Sequence, residues 1–170
     1  LTDATILNEQ CFRYEYDQRG RMIIKKVPGA GEVYMVYDTR DRLVMTQDAN
    51  MRTGTVKWMY TLYDNLNRPI ETGLWTNSTD AATHRSNAYN STSYPGLSGN
   101  WEVFSKTKYD DYTGLPAGLS ATYLTTWNNY FAATDNNNWP YPQMPSQSGA
   151  TKGMVTWTQT KVLNSNPVQW

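Results

Sequence analysis

The sequence predicts an all-β fold: a meander of β-hairpins forming part of a curled, spiral sheet, with two long loop excursions. Three observations predict it. A short phrase occurs three times, as Tyr16-Asp17-Gln18-Arg19-Gly20-Arg21, Tyr37-Asp38-Thr39-Arg40-Asp41-Arg42 and Tyr63-Asp64-Asn65-Leu66-Asn67-Arg68. Its tyrosines recur at intervals of 21 and 26 residues, a spacing typical of stacked copies of one supersecondary unit. Each phrase also follows an alternating aromatic and β-branched segment, the period of a half-buried strand. Finally, 13 Tyr and 7 Trp stand against only 3 Phe, and such amphipathic rings suit a sheet that is apolar on one side and wet on the other.

Each phrase reads as a hairpin tip. The Asp ends a strand, and its carboxylate can accept from the backbone N–H two residues on. The fifth position holds Gly20, Asp41 or Asn67, the residue types that best tolerate positive φ. A hairpin loop built on a type I turn needs a left-handed residue there. Arg21, Arg42 and Arg68 then open the return strand, while the third and fourth positions read as free. Pro69 lacks an N–H and so places its strand start at an edge or a bulge.

Taken in order, residues 1–10 form a lead-in, read as the tail of an upstream strand. Six strands in meander follow over 10–73, punctuated by the turn Pro28-Gly29-Ala30-Gly31 and a loop from Asp48 to Gly54. Residues 1–75 are therefore the hairpin region with three copies. Residues 76–100 are a polar insertion or loop without periodicity, a length that marks functional or mobile segments. It holds two glycosylation-type triplets, Asn77-Ser78-Thr79 and Asn90-Ser91-Thr92, read as ordinary polar loop. Residues 101–170 carry a strand ending in Tyr109-Asp110, a degenerate fourth copy without the expected Arg. A Pro/Asn-rich excursion follows over 124–150, with a short helix within 121–133. The last strand falls within 153–163, and Val168 to Trp170 begin another.

Composition excludes several classes. The 15 basic and 15 acidic residues balance, so the basic excess of a nucleic-acid binder is missing. The one basic cluster, Arg19, Arg21, Lys25 and Lys26, reads as solvated. A lone Cys11 supports neither an internal disulfide nor a cysteine-based zinc site. No apolar run approaches a membrane span, and no basic-then-apolar signal pattern opens the sequence.

No catalytic, cofactor-binding or metal-binding residue is assigned. His84 is the sole histidine and reads as an exposed loop residue, with Cys11 a buried structural thiol, since no motif frames either. Glycosidase chemistry needs two facing carboxylates, but Asp17, Asp38 and Asp64 occupy equivalent turn positions. A reaction centre is needed once, whereas a turn residue recurs. Asp110-Asp111 reads as a solvated turn end rather than a calcium site. The non-repeat aromatics Trp75, Trp127, Trp139 and Tyr141 lie in or beside loops, where rings stack on sugars or plug the loops onto the sheet. The plug is the weightier reading.

The phrase Tyr-Asp-x-x-Gly-Arg resembles the Rhs/YD-repeat proteins, most closely from Phe12 to Trp75 and more loosely at 108–112 and 151–155. The wording of 63–73 is similar to the Bacteroidota branch. The resemblance implies that the chain is a piece of a larger β-spiral shell that encloses or presents a C-terminal effector of toxin type. Partners would be the remaining repeats and the effector of the same parent chain, in a secreted or cell-surface protein. Family autoproteolysis uses paired Asp-Pro segments; no Asp-Pro occurs here, so cleavage does not carry over. The alternative function is a carbohydrate- or receptor-binding module that uses the loop aromatics.

Overall fold

The computed structural model describes residues 3–122, 125–126, 149–163 and 169–170. Its elements are helix α1 (Ala4–Glu9), strands β1 (Arg13–Tyr16), β2 (Met22–Lys26), β3 (Val33–Tyr37), β4 (Leu43–Gln47), β5 (Lys57–Tyr63) and β6 (Pro69–Thr76), helix α2 (Ala81–Tyr89), β7 (Trp101–Tyr109) and β8 (Val155–Thr160). The strands lie in chain order in one antiparallel meander that does not close into a barrel. The expected six strands over 10–73 are β1 to β6.

Every tip carries the same irregularity. Register shifts fall between Glu15 and Tyr16, between Val36 and Tyr37, and between Leu62 and Tyr63. Each repeat tyrosine then pairs with the residue after the arginine: Tyr16 with Met22, Tyr37 with Leu43, and Tyr63 with Pro69. An extra residue on one strand raises the local twist and re-aims the neighbouring side chains. Pro69 thus sits at a bulge, and β6 itself is an inner strand between β5 and β7.

The contact pattern separates two units, 1–106 with 160–170, and 107–159. In the first, the register places Val36, Met45, Tyr60, Trp58 and Trp75 on one sheet face, and these side chains form its core. Gly73 stands opposite Tyr60, where a Cβ would meet the Glu102 carbonyl oxygen at 2.1 Å and Tyr60 Oη at 2.8 Å. The ring and the neighbouring strand can therefore come this close only because the side chain is absent.

Two expectations are corrected here. The lead-in contains helix α1, not a strand tail: Asp3 caps it by accepting from the amides of Thr5 and Ile6. The stretch 76–100 is not simply a loop. Asp80 accepts from the Thr83 amide and starts helix α2, which lies on the sheet with His84 and Ala88 buried. The aromatic floor beneath supplies the apolar area, so the helix needs only two buried positions.

In the second unit Tyr109-Asp110 does not form a tip of the repeated kind. Asp110 has φ +70°, and its carboxylate accepts from the Gly153 amide at 2.6 Å while its amide donates to the Met154 carbonyl at 3.0 Å. The helix expected within 121–133 lies almost wholly outside the described residues. The last expected strand is β8, and Gln169 pairs with Val162.

Candidate functional site: a ladder of hairpin tips

The three Asp side chains make one pattern of bonds. Oδ1 of Asp17 accepts from the amides of Arg19 and Arg21 at 2.9 and 3.0 Å; Asp38 accepts from Arg40 and Arg42 at 2.9 and 3.0 Å; Asp64 accepts from Leu66 and Arg68 at 2.8 and 2.9 Å. The other carboxylate oxygen accepts from Nε of Arg21, Arg42 or Arg68, at 2.7 Å in all three tips. The fifth residues have the left-handed backbone the turn needs, φ +72° at Gly20, +59° at Asp41 and +63° at Asn67. Each tip is thus closed by one carboxylate that serves as turn cap and ion-pair partner together.

Burial opposes ionisation of Asp17 and Asp64. The bonds from the Arg21 side chain and from the Arg21 and Arg19 amides outweigh it at Asp17, and those from Arg68 and the Leu66 amide do so at Asp64. Both carboxyls are held below the usual range.

Arg21 and Arg42 also reach the next copy. Arg21 Nη1 donates to the Asp38 carbonyl and to Asp41 Oδ1, both at 2.8 Å. Arg42 Nη1 repeats this on the Asp64 carbonyl at 3.3 Å and Asn67 Oδ1 at 3.2 Å. The fourth position adds a second rung: Arg19 donates to the Thr39 carbonyl and Asp41, and Arg40 to the Asn65 carbonyl and Asn67. Arg21 lies over the Tyr37 ring and Arg42 over the Tyr63 ring, with 5.2 and 4.9 Å to the ring centroids.

A physical need stands behind these rungs. Between hairpins the register covers only two residue pairs, Ile24–Tyr34 and Lys25–Val33 for β2 and β3, Met45–Tyr60 and Thr46–Met59 for β4 and β5. Carbonyls nearer the tips must find other donors. Tyr63 Oη donates to the Leu43 carbonyl, and Arg85 from α2 donates to the carbonyls of Ile23 and Met35. The segment after α2 closes over the middle tip: the Thr39 amide donates to the Ser91 carbonyl, and Arg42 Nη2 to the Thr92 carbonyl. Tyr89 lies under Arg19, 4.3 Å from guanidinium carbon to ring centroid.

Two hollows of about 270 and 290 Å³ lie at the junctions between tips. The first is lined by Arg21, Tyr37, Arg85 and Tyr89 among others, the second by Arg42, Tyr63, Tyr94 and Pro95 among others. Their charged groups are bonded within the framework. Burial raises the phenols of Tyr37 and Tyr63, against the opposing pull of Arg21 and Arg42. Among the described residues, no group of three or more His, Cys, Asp or Glu is placed to hold a metal ion. No helix there is long and apolar enough to cross a membrane.

The structure brings together Tyr37, Tyr63 and the Asp and Arg of all three tips, while Tyr109 and Asp110 belong to the second unit. Tyr16 stays exposed on β1. Trp75 lies in β6 as a core residue whose Nε1 donates to the Ser98 carbonyl, which is the plug and not the ligand-stacking reading. Trp127, Trp139 and Tyr141 lie outside the described residues. His84 is corrected from exposed to buried, and Cys11 is only half-buried. The basic cluster is solvated only in part: Arg19 and Lys25 are exposed, whereas Arg21 is locked in the ladder and buried Lys26 donates to the carbonyls of Asn8 and Ala30. Sequence reasoning missed Arg19 and Arg40, although their recurrence at the fourth position was visible. No family model, curated protein or solved structure matches this chain.

Proposed function

We propose that the chain is a non-catalytic structural segment of an Rhs/YD-repeat-type protein. Its hairpins add strand by strand to a β-shell that encloses or presents a C-terminal effector polypeptide. The observation that supports this most is the translational rung: Arg21 treats the second tip as Arg42 treats the third. Such a rung adds copies in one direction without new chemistry, and its carboxylates and guanidiniums saturate one another. A wall built this way works by exclusion and confinement. The secreted or cell-surface location of the parent belongs to the same proposal. The carbohydrate-binding alternative loses Trp75 to the core, and its other rings, Trp127, Trp139 and Tyr141, lie outside the described residues.

The test is the mass of the native parent protein, first intact and then denatured. A large particle that yields a separate C-terminal piece only on denaturation supports an enclosing shell. A parent that never holds such a piece, cleaved or folded inside, overturns it.

A further inference from the structure

Helix α2 is held on the sheet by a histidine in an unusual position. His84 is 1% exposed, on the buried side of α2. Its ring meets Trp58 of β5 edge-on at 4.8 Å between centroids and Trp75 of β6 at 5.7 Å. Nδ1 lies 2.5 Å from Tyr94 Oη, in the segment that follows the helix. Nε2 is buried and has no hydrogen-bond partner. The groups facing it are therefore two indoles from the sheet and one phenol from the covering segment. On α2 itself, Asp80 is the charged group that acts on it, from the exposed N-cap, and Arg85 is engaged with strand carbonyls.

A neutral imidazole fits this site; an imidazolium does not. The second N–H of the charged ring would be buried among the indoles of Trp58 and Trp75, which offer no acceptor, and one exposed carboxylate a turn away does not offset the lost hydration. We propose that His84 is an acid-sensitive latch, whose protonation releases α2 and the following segment from the sheet. Release uncovers Trp58, Trp75 and Tyr94, and it withdraws Tyr89, Ser91 and Thr92 from Arg19, Thr39 and Arg42. The proposal stands whether or not the parent is a shell.

The sign follows from linkage. Burial lowers the His84 pKa below its free value of 6.5, outweighing the opposing pull of Asp80. The docked state therefore keeps its full advantage above pH 6.5 and loses it as the pH falls from there towards the buried value. Over that window one bound proton makes opening about tenfold easier per pH unit. Asp17 and Asp64 cannot mimic this, because both are held below 3.8.

The experiment reads two signals on the full chain between pH 8 and 5. Because His84 is the only histidine, one imidazole Cε1–H resonance reports its titration without assignment. Amide hydrogen exchange, corrected for intrinsic rate, reports protection of 81–90 against that of β3 and β4. The expected result is an apparent pKa below 6.5, with α2 protection falling about tenfold per pH unit in the same window while β3 and β4 stay protected. His84→Gln should flatten that slope. Protection of α2 that does not change across the His84 titration overturns the latch, and so does an unchanged slope in His84→Gln. If that variant does not fold, the wild-type comparison still decides.

Discussion

Three tips with the same cap bonds but unequal burial allow a sharp test of what stabilises them. Consider replacing each cap in turn: Asp17→Ala, Asp38→Ala and Asp64→Ala. Every substitution deletes the acceptor of two turn amides and of one arginine Nε. These cap bonds are the same in all three tips, but the surroundings are not. Asp38 and Arg42 have side chains 0% and 8% exposed, whereas Asp17 and Arg21 are 17% and 11%, and Asp64 and Arg68 are 20% and 23%. The difference arises from the segment after α2, which covers the middle tip through Ser91 and Thr92.

Removing one member of a buried ion pair strands the other and costs about 3–5 kcal/mol. At the outer tips water can reach the abandoned groups, so the loss should be smaller, about 1.5–3 kcal/mol, the range of hydrogen bonds to charged groups. Against a total stability on the order of 5–15 kcal/mol, Asp38→Ala should be severe and the other two milder. Urea unfolding followed by far-UV circular dichroism at pH 7 measures all three. Equal losses, or a smaller loss at Asp38, would refute the argument that burial sets the scale.

Other substitutions probe single features. Gly20→Val should destabilise by about 1–2 kcal/mol, because a β-branched residue is strained at φ +72° while no atom lies within 4 Å of the added Cβ. Superimposable thermal melts of the two proteins would remove the left-handed turn from the account. Gly73→Ala should cost about 3 kcal/mol, since its Cβ lands on the Glu102 carbonyl and forces β6 from β7; an unchanged urea midpoint would count against the close approach. Asn67→Gly keeps the left-handed turn yet deletes the acceptor of Arg40 and Arg42, with an expected loss of about 1 kcal/mol. A variant as stable as the parent in the same urea experiment would show that this rung holds nothing together.

Much of the fold was legible because the tips obey local rules. Asp17, Asp38 and Asp64 cap their own turns, and Gly20, Asp41 and Asn67 supply positive φ; both requirements are met within six residues of chain. The features that escaped are non-local. Helix α2 buries only His84 and Ala88, so its sequence has no apolar stripe, and the rings that hold it come from β5 and β6. The role of His84 is therefore written mostly in Trp58, Trp75 and Tyr94. Trp75 falls inside a strand because β6 runs on to Thr76, past residue 73 where the hairpin pattern ends. Arg19 and Arg40 were passed over because the third copy has Leu66 in their place.

That substitution is the key to the direction of the ladder. In the first tip the fifth residue is Gly20, which has no side chain to receive an arginine from a preceding copy. Its fourth and sixth positions, Arg19 and Arg21, both donate forward. The middle tip does both, receiving at Asp41 and donating from Arg40 and Arg42. The third receives at Asn67, but its fourth position is Leu66, 68% exposed and unable to donate. The turn alone would accept Gly, Asp or Asn at the fifth position in any order, since each tolerates positive φ. Only Asp and Asn also present an acceptor to the neighbour. Local turn chemistry thus leaves a choice open, and the arginines of the preceding copy make it, so that the tips are alike as turns and distinct as rungs.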